Sequence, residues 1–92
     1  MFQRLKWRND RIQHIQQKHS ITQDEIEEAI FDDPNRILFK GPASKSSRDR
    51  FIYYLLGRTE AGRNLTVVLL DEGNGVALPI TARDMTKSEQ WR

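Results

Sequence analysis

The spacing of hydrophobic residues predicts a helix near the amino terminus. The stretch NDRIQHIQQKH, residues 9–19, places Ile12, Ile15 and His19 at positions i, i+3 and i+7, which lie on one helix face. Either of its first two residues, Asn or Asp, is a suitable cap, because a short side-chain oxygen can accept a hydrogen bond from the unpaired N–H groups of the first turn. We therefore predict a helix over residues 9–19.

A second helix has a clearer start signal. Thr22 and Glu25 have the spacing of a capping box, in which each side chain accepts a hydrogen bond from the backbone N–H of the other residue. Apolar residues then recur at helical spacing, and Pro34 disfavours helical backbone at the residue before it. The pattern predicts a helix over residues 23–32.

Apolar stretches in the second half of the chain predict four β-strands, at residues 36–39, 51–57, 64–70 and 76–82. The second and third are apolar on both alternating faces, which is typical of strands that are covered on both sides. Gly62, in a three-residue loop, and the pair Asn74-Gly75 indicate hairpin connections. Pro79 suggests that the last strand lies at an edge or pairs irregularly.

The remaining segments complete the predicted fold. Residues 40–50 form a polar loop, while Thr86 and Glu89 make a second capping box so close to the end that the last helix must be short. We predict an α+β fold in which two N-terminal helices pack on a four-stranded, mainly antiparallel sheet, with a short C-terminal helix. Residues 1–92 have room for one hydrophobic core and hence one domain.

Composition narrows the classes of protein to consider. The 92 residues contain no cysteine, which excludes disulfides and thiolate metal sites. No apolar run approaches the ~20 residues needed to span a bilayer, and the amino terminus lacks the apolar segment of a secretion signal. We expect a cytoplasmic protein that does not bind membranes.

Charge alternates along the chain, although the net charge is only +2. Residues 1–19 hold five bases against one acid, residues 20–35 hold six acids and no base, and residues 36–63 hold seven bases against two acids. Such blocks can form a phosphate-facing surface next to an acidic face that repels nucleic acid. Mixed charge that serves solubility alone explains the pattern equally well.

Three stretches resemble the BrnT family of bacterial toxins, which are small ribonucleases with a RelE-like fold. Residues 7–34 resemble the family's aromatic start, its first helix ending in Lys-His and its second ending in Phe-Asp-Asp-Pro. Residues 53–70 resemble its strand, glycine-arginine turn and strand, and residues 80–89 its strand end Ala-Arg and following helix. The chain departs from the family at Ser20, where glycine is usual, and in the shortness of its last helix.

The resemblance implies the toxin of a type II toxin–antitoxin pair, a metal-independent endoribonuclease acting on mRNA or other cellular RNA. Its expected partners are a cognate antitoxin protein and the RNA substrate, and it needs no cofactor. A homodimer and a heterotetramer with the antitoxin are both open as assemblies. Cleavage without a metal ion requires a base for the 2′-hydroxyl, a cation for the developing phosphorane charge and an acid for the leaving oxygen.

Arg83 is the strongest candidate for the cation. Its planar guanidinium can bind two phosphate oxygens at once, and it follows a predicted strand just before a helix amino terminus. The alternative is an ordinary surface ion pair with Asp84 or Glu89.

Two further residues are candidates for proton transfer. His19 is one candidate, because histidine is the residue type suited to acid–base catalysis near neutral pH, although a histidine at a helix end can simply pack there. Glu89 is a candidate base through the resemblance, but it also has a complete explanation as part of the capping box. His14 and His19 lie about 140° apart around a helix, so we predict no metal site.

Basic and aromatic side chains complete the predicted site. The expected contacts with RNA or phosphate are Lys18, Arg50, Arg58 and Arg63. Tyr53 and Tyr54 point to opposite faces of their strand, so one is expected in the core while the other can stack on a base.

Other functions remain open at this stage. A non-catalytic module that binds an antitoxin-like partner, with its catalytic capacity lost, would also explain strands that need cover on both faces. Direct nucleic-acid binding through the basic blocks is a weaker alternative, because the sequence has no recognition-helix motif.

Overall fold

A computed structural model of the protein describes residues 2–43 and 51–90. Its elements are β1 (Arg4–Leu5), α1 (Asn9–His19), α2 (Gln23–Glu27), a π-helical turn (Glu28–Asp32), β2 (Ile37–Ala43), β3 (Phe51–Arg58), β4 (Asn64–Gly73), β5 (Val76–Asp84) and α3 (Lys87–Gln90). The strands form one sheet in the order β1-β5-β4-β3-β2, with β1 parallel to β5 and every other pair antiparallel.

The predicted α+β architecture with a mainly antiparallel sheet is confirmed, but over residues 2–43 and 51–90 the sheet has five strands rather than four, and the added pair β1–β5 is parallel. The additional strand, β1, has two residues and therefore no hydrophobic periodicity that the sequence could show. Backbone bonds to β5 hold it in place: Gln3 N donates to Gly75 O at 2.7 Å and Lys6 N donates to Ala77 O at 2.8 Å.

Helix α1 spans the predicted residues, but its predicted cap is wrong. Arg8 is the capping residue and makes no side-chain capping bond, while Asn9 and Asp10 lie within the first turn. The Asp10 carboxylate instead accepts a hydrogen bond from Arg8 Nη2 at 3.1 Å. The helix ends at Ser20, which has the left-handed backbone φ of 54°.

The second helical segment matches its prediction closely. In the capping box, Thr22 N donates to Glu25 Oε1 at 3.0 Å and Glu25 N donates to Thr22 Oγ1 at 3.2 Å. Helix α2 continues through the π-helical turn to Asp32, so that together they cover the predicted residues 23–32. Asp33 has extended backbone, as expected before Pro34.

One face of the sheet carries the core. Leu55, Leu65, Val67, Leu69 and Ala82 are fully buried there and join a cluster with helical residues. The helical members are Ile15, Ile21, Ile26, Ala29 and Ile30. The π-helical turn approaches β3 so closely that a Cβ at Gly57 would collide with the carbonyl oxygen of Ala29. Glycine is therefore required where the helical layer meets β3.

The opposite side of the sheet, which we name the open face, carries the alternate residues of the strands. The ladder places Leu56, Thr66 and Arg83 in one row and Tyr54, Val68 and Thr81 in the next. On β2, Ile37 and Phe39 pair with Leu56 and Tyr54, and each is 38% exposed. Helix α3 covers one end of this face, at Thr66 and Arg83, so within the described residues the predicted cover on both sides is found only in part.

The connections and the last strand also follow the sequence. Gly62 has a φ of 93°, while Asn74 and Gly75 have φ values of 56° and 78° at the β4–β5 turn. The β4–β5 register shifts between Val68 and Leu69, opposite Pro79, and β1 pairs with β5 only at its first two residues. Pro79 thus lies where the pairing with β4 is irregular and where, within the described chain, β5 has no paired strand on its other side, as the sequence predicted. No helix in residues 2–43 and 51–90 is long and apolar enough to cross a membrane.

Candidate functional site

Arg83 and Glu89 form a two-point ion pair on the open face. Arg83 Nη1 donates to Glu89 Oε1 at 2.7 Å, and Arg83 Nη2 donates to Glu89 Oε2 at 3.1 Å. The second capping box fixes the carboxylate, since Thr86 N donates to Glu89 Oε1 at 2.9 Å and Glu89 N donates to Thr86 Oγ1 at 3.3 Å. The start of α3 therefore holds Glu89, and Glu89 in turn holds the guanidinium.

A residue that the sequence did not single out completes this cluster. Thr66 is buried, and its hydroxyl donates to Glu89 Oε1 at 3.0 Å. The available signal was one polar residue inside the apolar stretch of β4. Threonine is common in strands, so its presence there does not indicate a functional site. Thr66 links the carboxylate to the centre of the sheet.

These contacts lower the pKa of Glu89 to about 2. The hydrogen bond from Arg83 is the largest cause; burial opposes it, while the Thr86 N–H and the Thr66 hydroxyl add to the lowering. Glu89 is consequently a carboxylate at neutral pH. A group with so low a pKa is a weak proton acceptor, because general bases work best with a pKa near the working pH. The geometry favours a positioning role for Glu89 over the predicted role as a base.

The guanidinium of Arg83 keeps one edge unpaired. Its second Nη1 hydrogen bond goes to Asp84 O at 3.2 Å, which leaves Nε–H and one N–H of Nη2 with no partner within residues 2–43 and 51–90. These two groups share one edge of the fork, which is the geometry that binds two oxygens of a phosphate. The side chain is 40% exposed, and the bond to Glu89 is the largest cause that raises the pKa of Arg83.

Arg63, which the sequence predicted to contact RNA, is instead surrounded by acceptors from the same chain. Its Nε and Nη2 donate to the Asp84 carboxylate at 2.7 and 3.2 Å. Its Nη1 donates to Ser20 O at 3.0 Å and Glu25 Oε2 at 3.3 Å, and its Nη2 also donates to His19 O at 3.1 Å. These five bonds use all five N–H donors of the guanidinium. The arrangement favours a structural role for Arg63.

The structure does not bring the candidates Arg83 and His19 together. Asp84 faces Arg63 and the end of α1, whereas its neighbour Arg83 faces Glu89 on the open face, because consecutive strand residues point to opposite sides. His19 lies at that helix end, where its ring packs edge-on against His14 with centroids 6.3 Å apart. Lys18 is exposed on the same turn. Residues 2–43 and 51–90 contain no cluster of three acidic or histidine side chains that could hold a metal.

A groove of about 310 Å³ opens beside Glu89. Arg58 lies in it: its Nε donates to Asn64 Oδ1 at 3.0 Å, and its backbone N donates to Asp33 Oδ2 at 2.8 Å. Further lining residues are Asn35, Ile37, Leu56, Gly57, Met85 and Gln90. Of the predicted RNA contacts, Arg58 is therefore beside the Arg83 cluster, and Arg50 lies outside the described residues.

The two tyrosines divide as the alternation predicts. Tyr53 is on the helix-covered side and packs edge-on against Phe2, with ring centroids 5.6 Å apart. Tyr54 is on the open face and stacks on Phe39, with centroids 5.5 Å apart and planes 26° apart. Tyr54 is close enough to contribute to the raised pKa of Arg83. An aromatic surface thus adjoins the arginine.

Comparisons with known proteins identify a family and a similar fold. The family model described as "Ribonuclease toxin, BrnT, of type II toxin-antitoxin system" matches residues 7–89. A crystal structure of the ribonuclease toxin BrnT from Brucella abortus is similar in fold, with a TM-score of 0.61 and 16% sequence identity over 91% of this chain and 97% of that chain. Among curated proteins, no sequence matches this chain.

Proposed function

Because the chain belongs to the BrnT family of ribonuclease toxins of type II toxin–antitoxin systems, we propose that it cleaves RNA on its open face, where Arg83 binds the scissile phosphate. The observation that supports this proposal is the guanidinium of Arg83, held at one edge by Glu89 and unpaired at the other within the described chain. A cationic fork fixed before the substrate arrives is what the phosphoryl transition state requires.

The chemistry assigned to Arg83 is electrostatic. Attack of the 2′-hydroxyl on the phosphate places additional negative charge on the non-bridging oxygens, and a bidentate guanidinium stabilises this charge without itself losing a proton. Glu89 keeps the fork in position. Since Arg83 supplies the cation, we propose cleavage without a metal ion, and we expect activity to survive an excess of EDTA.

We propose His19 for proton transfer because of the family likeness. The position of His19 restricts the path that the bound RNA can take. His19 lies at the end of α1, on the side of β5 opposite to Arg83, so the RNA has to pass around the end of β5 to meet both. In that case the His19→Ala variant should lose cleavage rate by about 100-fold or more, as is typical when a proton-transfer group is removed. A variant that cleaves as fast as the wild type would assign proton transfer to another group.

The decisive experiment compares purified wild-type protein with Arg83→Ala on a long single-stranded RNA, together with growth on induction. We expect growth arrest by the wild type, relief by Arg83→Ala and a loss of cleavage rate of at least about 100-fold. Arg11→Ala, which removes a basic residue on α1, is the matched control and should cleave as the wild type does. A wild type that cleaves no RNA, or an Arg83→Ala variant as active as the wild type, would overturn the proposal.

Membership of a type II toxin family implies an antitoxin partner. We propose that the antitoxin covers the open face, because Ile37 and Phe39 leave apolar surface exposed there, each at 38%, next to Arg83. Binding at this place would block the RNA site directly. Phe39→Glu should then abolish antitoxin binding while the circular dichroism spectrum stays unchanged. The mass of the complex will show whether a heterotetramer forms.

The non-catalytic alternative rests on the same exposed surface. A wild type that binds the antitoxin through Ile37 and Phe39 but cleaves no RNA would make the protein an interaction module. A cytoplasmic location follows from the proposed RNA substrate and stays a prediction, tested by fractionation of the producing cells.

A further inference from the structure

The groove beside Glu89 suits a neutral flat group better than a phosphate. Two carboxylates, Asp33 and Glu89, line it against one guanidinium, that of Arg58, and Glu89 is held in the charged form. A phosphate in the groove would meet two negative charges and one positive charge, so repulsion exceeds attraction there. Ile37, Leu56 and Met85 add apolar surface to the same lining. The rest of the lining is mostly polar, so hydrogen-bonding groups rather than apolar walls determine what the groove can hold.

Two amide side chains in the groove, those of Asn64 and Gln90, are each held by one of their two polar atoms. Asn64 Oδ1 accepts a hydrogen bond from Arg58 Nε at 3.0 Å, and Gln90 Nε2 donates to Met85 O at 3.2 Å. Within the described chain, the NH₂ group of Asn64 and the Oε1 atom of Gln90 have no partner. The groove therefore offers one oriented donor and one oriented acceptor, which is how proteins recognise the edges of nucleobases.

The register of the sheet sets the distance of this groove from Arg83. Arg58 and Asn64 form one row on the open face, the row of Arg83 follows two residues along the strands, and the row of Tyr54 follows two residues further. Rows two residues apart are separated by about 7 Å. The groove thus lies on one side of Arg83, and the stack of Tyr54 on Phe39 lies on the other.

We propose that the groove is a base-binding subsite for single-stranded RNA. A base on one side of the phosphate at Arg83 lies in the groove and hydrogen-bonds to Asn64 and Gln90. The base on the other side stacks on the exposed surface of Tyr54. The inference rests on the proposed role of Arg83, and it adds that the enzyme selects its cleavage position by the identity of one base.

The cleavage pattern on an RNA pool with random sequence tests the subsite. We expect the wild type to prefer one base, at one fixed position next to the cut, by at least about fivefold over the others. Asn64→Ala and Gln90→Ala should each reduce that preference to less than about twofold while cleavage continues. Gln17→Ala, which removes an exposed amide on α1, is the matched control and should keep the preference. A wild type without preference, or variants that retain it, would overturn the inference.

A binding experiment separates this inference from the proposed function. Short RNAs with a 2′-deoxy nucleotide at the cleavage position cannot be cut, and their binding is followed through the side-chain amide NMR signals of Asn64 and Gln90. Base-dependent shifts of these signals support the subsite even if the wild type cleaves nothing. Cleavage accompanied by unshifted Asn64 and Gln90 signals overturns the subsite and leaves the ribonuclease proposal standing.

Discussion

Arg83 and Asp84 are neighbours in β5, yet their side chains are bound on opposite faces of the sheet. Arg83 pairs with Glu89 at 2.7 and 3.1 Å on the open face. Asp84 pairs with Arg63 at 2.7 and 3.2 Å on the helix-covered side. The end of β5 is thus held on both faces by two-point ion pairs. Arg83 is therefore held rigidly, while the Asp84–Arg63 pair also stabilises the strand end.

The first prediction concerns the positioning role of Glu89. In Glu89→Gln the amide has one acceptor oxygen and no charge, so Arg83 is less firmly held and more attractive to phosphate. We expect kcat to fall between about 10- and 100-fold, because misplacement costs rate, while the KM for RNA falls rather than rises. Steady-state cleavage of a short fluorescent RNA measures both constants. Glu27→Gln, on the exposed face of α2, serves as the control.

The outcome for Glu89→Gln also distinguishes positioning from general base catalysis. A general base would give a fall in kcat together with loss of the acid limb of the pH–rate profile. A positioning residue leaves the shape of the profile unchanged. An unchanged kcat would contradict both roles.

The second prediction concerns acid stability. The pKa of Glu89 is lowered from its ordinary 4.5 to about 2 in the folded protein, so its contribution is fully present above about pH 4.5 and is lost as pH falls through 2. We expect wild type to exceed Glu89→Gln in free energy of unfolding by about 1–3 kcal/mol at pH 7, since Arg83 is partly solvent-screened. The difference should shrink toward zero near pH 2.

Urea unfolding of both proteins at pH 7, 4 and 2.5 measures this difference. Asp84, whose pKa is also lowered, chiefly by the bond from Arg63, remains in both proteins and so cancels in the comparison. A difference in the free energy of unfolding that stays constant from pH 7 to 2.5 would contradict the prediction.

The third prediction concerns Arg63 as a structural clamp. Arg63→Ala removes five hydrogen bonds and leaves the carbonyls of His19 and Ser20 without this donor. We expect a loss of about 1–3 kcal/mol in the free energy of unfolding. Arg63→Lys should lose nearly as much, because an ammonium cannot reach acceptors that surround a planar fork. Chemical denaturation measures the effect.

The control for Arg63 is Arg58→Ala, since Arg58 is exposed and, within the described residues, its guanidinium donates one hydrogen bond, to the amide oxygen of Asn64. We expect its free energy of unfolding to change by less than about 1 kcal/mol. If Arg63→Ala were as stable as this control but bound RNA more weakly, the RNA-binding role predicted from the sequence would be the better explanation.

The fourth prediction concerns the end of α1. Ser20 has a φ of 54°, a conformation that glycine adopts without the steric cost that a Cβ brings. Ser20→Gly should therefore stabilise the protein by about 0.5–1 kcal/mol and raise Tm by about 2–6 °C. Ser20→Ala keeps the Cβ and should bring no such gain. Thermal unfolding followed by circular dichroism compares the three proteins.

Much of the fold could be predicted because its signals are local in the chain. The capping box of Thr22 and Glu25 specifies the start of α2 within four residues, and Asn74-Gly75 specifies a hairpin within two. The apolar residues on both alternating faces of β3 and β4 indicated two faces that need cover, although the described chain covers the open face only at the end where α3 lies. By contrast, β1 was missed because a two-residue strand has no hydrophobic period, and its pairing partner, β5, lies about 70 residues away in the chain.

The candidate site was predicted only in part, for the same physical reason. Sequence indicated Arg83 and Glu89, which are six residues apart, together with the helix cap that holds them. It did not indicate Thr66, 23 residues away from Glu89, nor the clamp that Arg63 forms with Ser20 across 43 residues. The sequence alone determined helix starts, turns and the apolar periodicity, since these depend on neighbours in the chain. The tertiary structure decided which charges pair, because only folding brings their partners within hydrogen-bonding distance.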